Sequence, residues 1–79
     1  MKDNEIKMKM REIFSNILDL PMEKINNDLN PKNTKKWDSL NHVKIIMAIE
    51  NTFDIDILPE EAINLTSFKD TLELMKNRK

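Results

Sequence analysis

Neither cysteine nor glycine occurs among the 79 residues. The first absence removes disulfides, thiolate metal sites and a cysteine nucleophile together. The second removes every glycine-rich phosphate cradle. A single histidine, His42, leaves little acid–base or metal chemistry near neutral pH. No apolar run approaches the ~18 residues needed to span a bilayer, and Met1–Glu5 lacks the apolar core of a signal peptide. A chain of this length buries only about 60–65% of its unfolded surface, too little for a large enclosed active site. The expectation is a cytoplasmic protein that is not an enzyme, has no membrane insertion and forms one small domain over residues 1–79. Charged residues make up 34% and hydrophobic ones 39%, which suits a soluble globule, and the net charge of −1 gives no general attraction to nucleic acid.

What is present is helical. Ile6, Met10, Ile13 and Ile17 step by four, three and four, and Phe14 and Leu18 widen that stripe, predicting an amphipathic helix over 4–18. Asp3 or Asn4 can cap it, and Pro21 stops it. Residues 20–37 form a long connection rich in Asn, Asp, Lys and Pro, pinned by Met22, Ile25 and Leu29, with one helical turn at Met22–Ile25. Its length exceeds the usual ~2–8-residue helix connection. Asp54-Ile55-Asp56-Ile57 alternates like a strand, but no second strand exists to pair with it, so it reads as an extended connector. Pro59 starts a short helix through Asn64, with Glu60 and Glu61 favouring its N-terminal end. Thr66 or Ser67 caps the last helix; Ser67 with Asp70 approximates a capping box. Phe68, Leu72 and Met75 supply its inner stripe, and Lys76, Arg78 and Lys79 its C-terminal positive charge. The fold class is all-α: a small four-helix bundle with three main helices, a short third helix and a long first loop.

The second helix organises the rest. It runs from Ser39 to about Thr52, directly behind Trp37 and Asp38. At 100° per residue its apolar residues cover an arc of about 220°, against the ~100° of a surface helix with one buried stripe. Two explanations stand. The helix is buried on two sides, or Ile45, Ile46, Ile49 and Phe53 face the core while Leu40, Val43 and Met47 stay near the surface beside Ser39.

Ser39 admits several chemistries. As an N-cap it would accept from a backbone N–H two or three residues on, a task Asp38 could also perform. A Ser39–His42 dyad shares a helix face, but no oxyanion hole or orienting acid accompanies it. Asp54, Asp56, Glu60 and Glu61 could attract a hard cation weakly, without the glycine and spacing of an EF-hand. Lastly, a hydroxyl at a helix start is a sound acceptor for a phosphodiester-linked arm, whose phosphate would meet the positive end of the helix dipole. Such an arm could bring the thiol that the chain lacks.

Asp38-Ser39-Leu40 resembles the attachment motif of acyl carrier proteins, and Ala48-Ile49-Glu50-Asn51-Thr52-Phe53-Asp54-Ile55 and Leu58-Pro59-Glu60-Glu61 are similar to the family's second helix end and the approach to its third. The resemblance covers residues 4–77. It implies 4'-phosphopantetheine on Ser39, donated by coenzyme A through a phosphopantetheinyl transferase, with Asp38 assisting and Leu40 completing the motif. Acyl or aminoacyl groups would then pass as thioesters between an acyl-ligase or synthase and acyltransferases. Leu40, Val43 and Met47 would form the apolar partner surface, with Lys44, Glu50 and Trp37 in the same partner-binding set. Ile45, Ile46, Ile49 and Phe53 would line the interior, where carriers of this kind can shelter an acyl chain. A monomer is expected.

Two departures set the chain apart from members serving bulk fatty acid synthesis. They usually have glycine-alanine before Asp-Ser-Leu, where this chain has Lys36-Trp37, and a strongly acidic second helix, where this one has Asn41, Lys44 and Asn51. Between residues 38 and 63 there are still six acids against Lys44, but they have moved towards the helix end and the third helix. Trp37 either is similar to stand-alone carriers of a dedicated pathway or plugs the loop against the bundle. The rival function is an unmodified helical protein-interaction module using the Leu40–Val43–Met47 patch. Nucleic-acid binding wants a basic recognition helix, and the second helix offers Lys44 alone.

Overall fold

The computed structural model describes residues 2–78, and Lys79 lies outside them. Four helices follow in order: α1 Asp3–Leu18, α2 Ser39–Phe53, α3 Pro59–Asn64 and α4 Phe68–Asn77, with one 3-10 turn at Met22–Lys24 in the first loop. Among the described residues there is no strand, and 55–58 is an extended connector. α1 packs against both α2 and α4.

The helix ends show how a chain without glycine turns corners. α1 ends at Leu18, three residues before Pro21, because Asp19 takes the left-handed conformation at φ 55° and its N–H bonds Ser15 O. Asp54 repeats the arrangement after α2 at φ 53°, with its N–H on Glu50 O. A left-handed non-glycine residue costs about 1–2 kcal/mol, least for Asp and Asn, whose short polar side chains hydrogen-bond locally. The start of α1 differs from expectation. Neither Asp3 nor Asn4 caps it: the cap position is Lys2, which offers no side-chain acceptor. Asp3 and Glu5 instead lie inside the first turn, where their charge suits the dipole.

The core joins Ile6, Met10, Ile13, Phe14 and Leu18 of α1 to Ile45 and Ile49 of α2 and Phe68 and Met75 of α4. Phe14 is its hub, meeting Trp37 and Phe68 edge-on at 5.1 Å each, the geometry that ring quadrupoles favour. Ile25 and Leu29 are buried as anchors of the first loop, while Met22 is half-buried. Phe68 N–H donates to Leu29 O at 2.9 Å, tying this loop to the start of α4. The rest of the loop closes on itself: Asn30 Oδ1 accepts from Lys32 N–H and Asn33 N–H at 2.8 and 3.0 Å, and Asn33 Nδ2 donates to Asp28 O at 2.8 Å. Those side chains stand in for the backbone ladder that an irregular segment lacks.

In α4, Ser67 Oγ accepts from Asp70 N–H at 3.0 Å as expected of a cap. Asp70 does not reach back to Ser67, however; its Oδ2 takes the N–H and hydroxyl of Thr66. Thr71, unremarked in the sequence, is fully buried and donates its hydroxyl to Phe68 O at 2.6 Å. Leu72 is half-buried. Arg78 does more than favour a helix end: it crosses to α3, where it pairs with Glu61 and donates to Asp56 O at 2.7 Å.

Candidate functional site

The junction of the first loop with α2 is built by Asp38. Its backbone is extended at φ −99°, ψ −176°, and its Oδ1 accepts from Asn41 N–H at 2.9 Å. Asp38, not Ser39, is therefore the N-cap, and Ser39 is the first helical residue. This corrects the capping reading of Ser39 and has a chemical consequence. The Ser39 hydroxyl has no hydrogen-bond partner among the described residues, and the residue is exposed. Asn41 Nδ2 donates to Lys36 O at 2.7 Å and fixes the approach of the loop.

His42 is equally well defined. The indole Nε1–H of Trp37, a group that only donates, points at His42 Nδ1 at 2.9 Å. That nitrogen must be unprotonated, so the ring proton sits on Nε2 and is donated to Ala62 O at 2.9 Å. Both nitrogens are committed, and neither is available to Ser39. The nucleophilic dyad is excluded by this geometry.

Trp37 itself is 3% exposed, stacked on His42 with 6.0 Å between ring centroids. The ring thus plugs the loop against the bundle, the second of the two roles expected for it, and little of it is open to solvent.

The two explanations for the wide apolar arc of α2 are now resolved. Ile45 and Ile49 are 0% exposed, whereas Leu40, Val43 and Met47 are 65%, 54% and 56% exposed. Ile46 and Phe53 are half-buried at the margin of the core. Lys44 is exposed beside the apolar patch, but Glu50 is partly spent on structure, its Oε2 accepting from Ile57 N–H at 2.9 Å. Among the described residues no three acids or histidines converge to hold a metal ion. Glu61 in particular turns away: it accepts from Leu58 N–H at 3.0 Å and pairs with Arg78. The Leu58 amide first, and then Arg78, lower its pKa below the ordinary glutamate value.

One open groove of about 480 Å³ begins at Ser39, walled by Pro31, Trp37, Val43, Ile63 and Leu65. The sequence reading missed Ile63, which is 75% exposed on α3. The available signal was that a six-residue helix with Ala62 inward has no second apolar face to bury.

Comparison with known proteins decides the family. No family model matches. The chain is 36% identical over 75 residues to an acyl carrier protein of Buchnera aphidicola subsp. Schizaphis graminum, covering 95% of each chain. It is also 36% identical to the acyl carrier protein of Akkermansia muciniphila, covering 91% of this chain and 90% of that one. This chain belongs to the acyl carrier protein family. A third member, from Thermosynechococcus vestitus, is 32% identical over 99% of this chain and 96% of its own. Membership gives the site its general sense: a carrier role, which requires a place to hold something and a face to show partners, and no catalytic constellation.

Proposed function

We propose that Ser39 is the attachment point of 4'-phosphopantetheine, and that the chain carries acyl or aminoacyl groups as thioesters on that arm between the enzymes of a fatty acid, lipid or dedicated pathway in the cytoplasm. The observation that carries this reading is the division of labour at the start of α2. Asp38 supplies the side-chain cap, which leaves the Ser39 hydroxyl exposed and uncommitted.

The surroundings fit the group. A phosphodiester on Ser39 would sit at the N-terminus of α2, where the N–H groups of Ser39 and Leu40 have no acceptor among the described residues. When bound, the group supplies a thiol, which this chain cannot provide from its own residues. The chain's own contributions are the hydroxyl oxygen that forms the phosphodiester bond, the rigid start of α2 that aims it, and the Leu40–Val43–Met47 patch that partners would cover. Asp38 keeps one carboxylate oxygen free of the cap and can serve the transferase as well.

Partners on this reading are a phosphopantetheinyl transferase using coenzyme A, then an acyl-ligase or synthase and acyltransferases. Lys44 stands at the rim of their footprint, and Glu50 joins it with the oxygen not given to Ile57. Intact-mass spectrometry after incubation with coenzyme A and a transferase tests the proposal. One adduct is expected, lost in Ser39→Ala. No adduct, or one that persists in that variant, would overturn it and leave the unmodified interaction module.

A further inference from the structure

α3 is tied to α2 by a short hydrogen-bond chain whose three members come from three elements. Trp37 of the loop donates to His42 in the first turn of α2, and His42 donates to Ala62 O of α3, both at 2.9 Å. Ala62 lies in the last turn of α3, and its carbonyl also accepts from Leu65 N–H at 3.3 Å. His42 is thus a second donor to that carbonyl, closer than the backbone one and brought from a neighbouring helix. Both rings also border the groove that begins at Ser39. On the inner side of α2, Ile45, Ile49 and Phe68 are fully buried.

We infer that this carrier keeps its cargo outside the helices, because the Trp37–His42–Ala62 chain holds α2 against α3 at the end where an arm on Ser39 begins, and that the cargo is a short acyl or aminoacyl group lying in the open groove. The inference rests on the carrier reading. An alkyl chain passing between α2 and α3 must break the His42–Ala62 bond. It would leave the Nε2–H of His42 without its acceptor, and a hydrocarbon offers nothing to replace that partner. A group lying in the groove breaks no bond. The walls there, Pro31, Val43, Ile63 and Leu65, are apolar, with Thr66 and Asp38 adding polar atoms. At about 480 Å³ the groove holds one small ligand. Longer chains overrun it and leave methylenes in water, at a hydrophobic cost that a sheltering interior would remove. His42 is thus a positioning residue that sets cargo length.

The test loads the apo protein with acetyl- and octanoyl-coenzyme A through a transferase and verifies each product by intact mass. Two quantities are then read: the rate of thioester cleavage by hydroxylamine, and the NMR shifts of the Ile45, Ile49, Val43 and Ile63 methyls. In the native sequence the two thioesters are expected to cleave at a ratio near unity, with Ile45 and Ile49 unmoved and Val43 and Ile63 shifted. In His42→Ala the octanoyl thioester alone should become severalfold slower to cleave, with the Ile45 and Ile49 methyls now moving. Trp37→Phe keeps the ring but removes the N–H donor, and should move in the same direction by less. If His42→Ala fails to fold, Trp37→Phe and the native protein decide. Severalfold octanoyl protection in the native protein, or variants that behave like it in both readouts, would overturn the inference. A protein that never loads fails at the mass step, which defeats the carrier reading itself.

Discussion

Asp38 and Ser39 are adjacent, both can cap a helix, and the structure gives them opposite tasks, so their substitutions should have opposite effects on stability. Asp38→Ala removes the acceptor that holds Asn41 N–H at 2.9 Å. Loss of such a cap costs about 1 kcal/mol, within a range of roughly 0.5–2. For a domain of this size 1 kcal/mol corresponds to about 6 °C in Tm. Ser39→Ala removes a hydroxyl that bonds nothing and places alanine in the first turn of α2, where it is the better helix former by about 0.5 kcal/mol at most. That variant should melt at the native temperature or up to about 3 °C above it. Asp38→Asn, which keeps an acceptor at the cap, should lose little. Thermal unfolding followed by circular dichroism, with urea titration as a second measure, reads all three. If Ser39→Ala loses as much as Asp38→Ala, then serine is the cap, its hydroxyl is not free, and the reasoning behind the attachment site fails with it.

Two further perturbations test other joints of the fold. Ile49→Ala empties a fully buried position and should cost about 2–5 kcal/mol, whereas Phe53→Ala, at the half-buried margin, should fall below the ~3–5 kcal/mol of a buried phenylalanine; urea unfolding that ranked Phe53→Ala well above Ile49→Ala would reverse the orientation of α2. Glu61 has a pKa lowered by the Leu58 amide and by Arg78, so its ion pair stabilises the fold fully above the ordinary glutamate value and is lost as pH falls below it. Glu61→Gln should accordingly flatten that part of the acid limb in a pH series of melting temperatures, and an acid limb indistinguishable from the native one would show that the pair does not matter.

The helices and their spans were legible because they depend on periodicity and punctuation, both local properties. The stripe of α1, the start of α3 at Pro59 and the cap at Ser67 all follow from residues within a few positions of one another. What was not legible is what covers what. The arc of α2 announced more apolar surface than one core needs, but its cover depends on where the short α3 rests. That placement is held by His42 on Ala62 and by Arg78 on Glu61, pairs 20 and 17 residues apart. No spacing rule predicts them. Trp37 had two readings for the same reason: its burial is decided by a hydrogen-bond partner on α2 and an aromatic neighbour on α1. Ile63 escaped notice because a six-residue helix is too short for periodicity to reveal its free side. At the start of α2 the difficulty was finer, since two cap-competent residues in a row leave the register uncertain by one, and only the geometry at Asn41 resolves it.

The charges of this carrier follow the same distinction between committed and free groups. Of the six acids between residues 38 and 63, Asp38 gives one oxygen to its cap and Glu50 one to the Ile57 amide, while Glu61 is held by Leu58 and paired with Arg78. The exposed acids left over are Asp54, Asp56 and Glu60, all beyond the C-terminal end of α2. Near Ser39 in sequence, Lys36 is turned to Asp19, its Nζ 3.5 Å from Asp19 Oδ2, and Lys35 and Lys44 are exposed. A partner drawn by long-range attraction would therefore be guided to the far end of α2, while the exposed surface nearest the hydroxyl includes the apolar Leu40 and Val43. Salt at ~0.15 M screens exposed charges beyond about 8 Å, so such guidance would act mainly during encounter. An enzyme suited to a carrier with a strongly acidic second helix would meet Asn41, Lys44 and Asn51 there, and that mismatch is a physical basis for keeping this carrier to its own partners.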